Sequence, residues 1–122
     1  MVQLAVRGEE RIGPGNAVLD RAHLARMTFN DRGLEREILQ LFDRQAELLI
    51  GRMRGSEPAA VATLAHTLKG SAVGIGASRV AQAAAAAEQA ANSALECRCA
   101  IDHLAQAVDE VRTEIAALRS AS

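Results

Sequence analysis

The stretch Pro58–Gly76, PAAVATLAHTLKGSAVGIG, decides the fold. Val61, Leu64, Ala65, Leu68, Ala72 and Ile75 recur in it at three- and four-residue spacing, which is one stripe of a helix with 3.6 residues per turn. Pro58 is tolerated in the first turn, where its missing N–H would have no helical partner. Gly74 and Gly76 supply the residue type that helices favour just past their ends. Ser56, ahead of the run, is expected to cap it. One residue does not fit. Gly70 stands in mid-helix, where glycine costs about 0.5–1 kcal/mol relative to alanine, and alanine is abundant in this chain.

The segments on either side of this stretch carry the same period. Before it, Leu34, Ile38, Leu41, Phe42, Leu48 and Leu49 predict a long helix ending near Arg54, with Asn30 and Asp31 providing N-cap chemistry and Gly55-Ser56 the break. A short helix over about 16–27 precedes that, with Leu19, Ala22, Leu24 and Met27 as contact candidates. After Gly76, Val80, Ala84, Ala87 and Ala91 predict a helix over about 77–92 whose small residues permit close packing. Ile101, Leu104, Val108, Val111, Ile115 and Leu118 then give an alternating three-four spacing. Long amphipathic helices joined by short connections are antiparallel neighbours. The expected architecture is all-α, an up-down antiparallel four-helix bundle with a short additional N-terminal helix. It forms one domain over 16–122. Residues 1–15 end in Gly13-Pro14-Gly15 and read as a leader, either flexible or laid on the domain surface.

Composition narrows the function classes. The chain has 122 residues, enough for one domain with a core that needs no metal or disulfide. Its only aromatic residues are Phe29 and Phe42, so the core is aliphatic. Fourteen basic and fifteen acidic residues are interspersed and sum to −1, which gives no basic surface for nucleic acid or an anionic membrane. No apolar run approaches a membrane span, and the N-terminus has no signal-peptide pattern, so a cytoplasmic location is expected. Cys97 and Cys99 lie two apart on one helix and point to different sides. With His103 nearby they lack metal-ligand spacing, and both are read as reduced thiols. No metal site is expected in this chain.

His66 is the informative residue. On a helical wheel it falls about 150° from the middle of the apolar stripe, which excludes a core histidine and leaves a solvated surface residue as the bland alternative. Its surface neighbours one turn away are Ala62 and Gly70, with Lys69 at i+3 and Val73 beyond Gly70. A solvated face would carry longer polar side chains at 62 and 70. Here the imidazole stands in a clearing of small residues with one cation beside it. A neutral imidazole is a good nucleophile near neutral pH. If it accepted a phosphoryl group, Lys69 would offset the new negative charge and Gly70 would leave room for the group and for a partner's active site. His23 and His103 lack such surroundings and are expected at the surface or its boundary.

With these residues in place the sequence resembles the histidine phosphotransfer (HPt) domains of bacterial two-component phosphorelays. Their motif, H-x-L-K-G followed by two small residues and then a Gly-Ala pair, is matched by His66, Leu68, Lys69, Gly70, Ser71 and Ala72, then Gly76-Ala77. The stretches VLDRAHLARMTFNDRGLEREILQLF and RVAQAAAAAE also read like that family, and the resemblance covers about 16–119. It implies that His66 is the phosphoacceptor through Nε2, Lys69 the electrostatic partner of the phosphoryl group and Gly70 the steric clearing. Ser71 would match a small supporting position, and Glu88 a polar position beside the imidazole, where a carboxylate would hold the Nδ1 proton. Ala62 and Val73 would border the partner. Receiver domains of response regulators and a hybrid sensor histidine kinase are the implied partners, with Mg²⁺ bound by the receiver and no cofactor in this chain. A monomer is expected.

The resemblance also implies a carrier with no kinase activity of its own. No glycine-rich phosphate loop is present, and Thr67 stands where a kinase dimerisation helix would place an acid. Two other readings stand beside it. One is a non-catalytic helical adaptor that docks partner domains through the small-residue patch. The other is a degenerate relative that binds receivers without transfer, against which stand the intact His66, Lys69 and Gly70. Arg52 and Arg54 complement a helix C-terminus, with contact to an acidic receiver pocket as a second role.

Overall fold

The computed structural model describes residues 18–90 and 93–121. The expected leader, the first two residues of the predicted helix 16–27, and Ala91 lie outside the described residues. Five helices follow in order: α1 (Arg21–Met27), α2 (Arg32–Arg54), α3 (Pro58–Ile75), α4 (Ser78–Gln89) and α5 (Ala94–Ala121). The fold is all-α. α2 to α5 close a four-helix bundle in which each packs on its sequence neighbour, α5 returns to α2, and α1 lies against α3.

Ion pairs fix the antiparallel register. Arg54 meets Asp102 and Arg112 meets Asp43, which aligns α2 against α5 in opposite directions. Arg79 and Glu110 join α4 to α5 at one point. Asp43 and, at longer range, Glu47 raise the Arg112 pKa above its ordinary value by bonding and facing the cation. Exposed pairs like these set alignment more than stability.

Burial drives the assembly. The α3 stripe is inside as its period predicts for Val61, Ala65, Leu68, Ala72 and Ile75, while Leu64, at its edge, is only partly buried. Val80, Ala84 and Ala87 of α4 are buried too, as are Ile101, Leu104, Val108, Val111 and Ile115 of α5. α2 departs from expectation. Phe42 and Leu49 are buried, but their companions are Leu39, Ala46, Ile50 and Met53, while Leu34, Leu41 and Leu48 face solvent. The exposed leucines form a seven-residue row of their own, about 120–150° around the helix from the buried stripe. That row competes with the true stripe because the stripe includes an alanine and a methionine. In α1, Leu24 is buried but Ala22 and Met27 are exposed; Leu19, just ahead of the helix, is in the core.

The caps show which local signals operate. Asp31 caps α2, its carboxylate accepting from the Leu34 N–H at 3.1 Å. Ser93 caps α5 through the Glu96 N–H at 3.1 Å. Ser56 does not cap α3. Its hydroxyl donates instead to the Arg52 carbonyl at 2.7 Å, closing the end of α2, and Glu57 occupies the α3 N-cap without a side-chain bond.

Gly76 is the stop for α3, at φ 79°. Its carbonyl accepts from the Asp20 N–H at 2.9 Å, and a Cβ there would stand 2.9 Å from the Asp20 Cβ. His23 adds a second tie, its Nε2 donating to the Gly74 carbonyl at 3.1 Å. The end of α3 and the turn after it thus tie down α1, together with the burial of Leu19 and Leu24. Gly76→Ala combines left-handed strain with a steric clash, so it should lower unfolding free energy by about 1–3 kcal/mol, measured by urea denaturation. A change under about 0.5 kcal/mol would contradict this close approach.

Candidate functional site

Because five residues of the α3 stripe are buried and Leu64 partly so, the rotation of α3 about its axis is fixed. His66 therefore projects outward, with its side chain 66% exposed. Ala62 and Gly70 flank it one turn away, and Val73 follows at 60% exposure. Gly70 has ordinary helical backbone, and a Cβ added to it would meet nothing within 4 Å. Neither conformation nor packing calls for glycine at position 70, in contrast to Gly76.

Glu88 on α4 reaches across to this face. One carboxylate oxygen lies 3.0 Å from His66 Nδ1 and the other 3.0 Å from Lys69 Nζ. The Lys69 bond is the main cause that lowers the Glu88 pKa below its ordinary value of 4.5, opposed by desolvation and reinforced by the bond to His66. The carboxylate therefore stays ionised near neutral pH. An ionised carboxylate only accepts hydrogen bonds, so the proton of the His66–Glu88 bond is on Nδ1. In the neutral imidazole this leaves the lone pair on Nε2, which has no partner among the described residues. Lys69 sits one turn along α3 and half-buried, its ammonium held between α3 and α4.

Ser71 is not brought to this cluster. Five residues past His66 it lies about 140° around the helix, where it lines a groove between α2 and α3 with Ile38, Leu41, Phe42, Gln45 and Ile75. The exposed leucines of α2 belong to the same flank: Leu41 is 58% and Leu48 56% exposed. The three-four pattern of α2 places both in the core, whereas the structure leaves them as exposed apolar surface. The signal was their seven-residue spacing, offset from Leu39, Phe42 and Leu49. Of the other histidines, His103 is exposed and His23 is half-buried. Cys97 is buried and Cys99 exposed. Among the described residues no cluster of His, Cys, Asp and Glu could hold a metal, and no helix is long and apolar enough to cross a membrane.

The site is thus an outward imidazole with one nitrogen bonded to a carboxylate that also holds a lysine, on the wall of a helical bundle. The family model described as Hpt domain matches residues 34–121, and the chain belongs to that family. Neither the curated proteins nor the solved structures gave a match. Hpt domains act as phosphocarriers in two-component signalling, in exchange with receiver domains and kinases, and generally lack kinase activity.

The carboxylate bridge has a pH signature. Folding lowers the Glu88 pKa, so its bonds support the fold above the ordinary glutamate range, and that support is lost as pH falls through the depressed folded value. In a carboxyl-detected NMR titration Glu88 should titrate below 4.5, and Lys69→Met should move it upward. A Glu88 midpoint unaffected by Lys69→Met would remove the lysine as the main cause.

Proposed function

We propose that this protein relays a phosphoryl group between receiver-domain aspartates through His66 in a two-component phosphorelay. The observation that carries the reading is the Nδ1 bond to Glu88 on a histidine otherwise open to solvent. The Nε2 lone pair attacks the phosphorus of an aspartyl phosphate on the donor receiver. A P–N bond forms, the P–O bond to the aspartate breaks, and its carboxylate leaves. The Nδ1 proton stays in place, so the ring becomes a phosphoryl-imidazolium whose positive charge Glu88 faces, the role a carboxylate plays for other catalytic histidines. Lys69, already beside Glu88, is placed to share its ammonium with the incoming phosphoryl oxygens. Attack by the acceptor's aspartate reverses the sequence. Mg²⁺, expected on the partner receiver, supplies neutralisation of the phosphoryl charge during transfer.

Gly70 and Ala62 keep the approach to Nε2 free of side chains. Val73 on α3, 60% exposed beyond Gly70, offers apolar contact beside it, suited to a receiver surface closing over the histidine. A purely adaptor role would use the same apolar contact and leave the His66–Glu88–Lys69 arrangement without a task.

Incubation with a phosphorylated receiver should label the protein with acid-labile, base-stable phosphate. His66→Gln should abolish the label while leaving the helical circular dichroism intact; persistent labelling there would sink the His66 assignment, and an unsubstituted chain that takes no label would favour the adaptor. Lys69→Ala should slow transfer, and an unchanged rate would remove Lys69 from the mechanism. Position 70 separates stability from function. Gly70→Ala should stabilise the fold by about 0.5–1 kcal/mol, whereas Gly70→Gln should fold normally yet obstruct transfer. Normal transfer in Gly70→Gln would refute the steric account.

A further inference from the structure

The outer face of α2 carries an apolar row that no described helix covers. Leu34, Leu41 and Leu48 are 37%, 58% and 56% exposed and recur every seven residues. Over about 21 Å of helix they drift by only about 20° per heptad, so they form one nearly straight edge. Ile38, half-buried, widens that edge on the side of α3. Leucines at this spacing make one half of a helix–helix seam, and unpaired they leave apolar surface in water.

The charges beside the row point to what covers it. Glu37 and Arg44 each follow a leucine of the row by three residues, and both are exposed without a partner among the described residues. On the wheel they flank the row on the side opposite Ile38 and Gln45, which line the α2–α3 groove. Seven residues apart, they do not pair with each other within one chain. We propose that the row is a self-association surface, on which two copies of this chain pair α2 against α2, antiparallel, about a two-fold axis at Leu41. In that register Leu34 lies opposite Leu48 of the other copy, and Leu41 opposite itself. Two-fold symmetry keeps like flanks on one side. Glu37 therefore comes within one residue of the level of Arg44 of the other copy, twice over. Arg52, farther along α2, likewise comes level to within one residue with Asp31 of the other copy. A parallel pair would set Glu37 against Glu37 and Arg44 against Arg44, so the charges select one orientation. One leucine every two turns is a narrow seam. The dimer is therefore weak, and the monomer is its dilute form. None of these residues takes part in the His66 cluster, so the proposal stands independently of phosphotransfer.

The test is sedimentation equilibrium of the full chain across the micromolar to millimolar range. The weight-average mass should rise with concentration toward twice 12.9 kDa and stop there, because a two-fold pairing closes. Leu41→Glu should weaken association at least tenfold with the helical circular dichroism unchanged. Glu37→Arg should also weaken it, and adding Arg44→Glu should restore it, since the swap rebuilds both pairs. In a Cys99→Ser background, chains carrying Leu34→Cys and chains carrying Leu48→Cys should cross-link when oxidised with copper phenanthroline together, and not separately. A monomer at every concentration would overturn the proposal; if Leu41→Glu then slowed transfer from a phosphorylated receiver, the row would be a receiver contact instead. Growth beyond the dimer, a double variant no better than Glu37→Arg, or Leu34→Cys chains linking to each other would overturn the antiparallel pairing.

Discussion

Everything at the candidate site depends on one packing constraint, the burial of the aliphatic stripe of α3. Val61, Ala65, Leu68 and Ala72 have no solvent exposure, and Ile75 almost none. A helix anchored along a whole stripe cannot rotate without exposing apolar surface or opening voids, each costing kilocalories per side chain. His66 is therefore held outward and Lys69 toward α4. The chemistry of the exposed face is a consequence of how the opposite face packs.

The second constraint is electrostatic. Glu88 divides one carboxylate between His66 and Lys69 across the α3–α4 seam. The small residues of α4, with Ala84 and Ala87 buried against its neighbours, let the two helices approach closely enough for that reach. Lysine and histidine together hold the carboxylate ionised, and the ionised carboxylate in turn decides which imidazole nitrogen keeps its proton. Tautomer, lysine position and helix spacing form one coupled arrangement, within the span 34–121 that matches the Hpt family model.

Two glycines on α3 illustrate opposite uses of the missing side chain. Gly76 is closed in, at positive φ and against Asp20, and a larger residue has nowhere to go. Gly70 is open on every side, so the fold itself would accept alanine there. An open glycine in mid-helix is a cost that the fold does not require, so packing does not account for the space in front of His66.

Much of this was legible in the sequence. The three-four period of α3, α4 and α5 identified their buried faces, because one register of apolar residues dominates each. The outward position of His66 and the clearing around it followed from the same wheel. α2 was less legible: its leucines fall on two rows, and only the neighbouring helices decide which row is covered, so Leu41 and Leu48 are left exposed. Ser56 matched a cap by type, but its hydroxyl was drawn to the Arg52 carbonyl of the preceding turn. Periodicity is a property of one helix and can be read from one segment. The Glu88 bridge, the placement of Ser71 in the α2–α3 groove and the Asp20–Gly76 tie are contacts between segments. Their geometry exists only once the helices have chosen neighbours, register and distance.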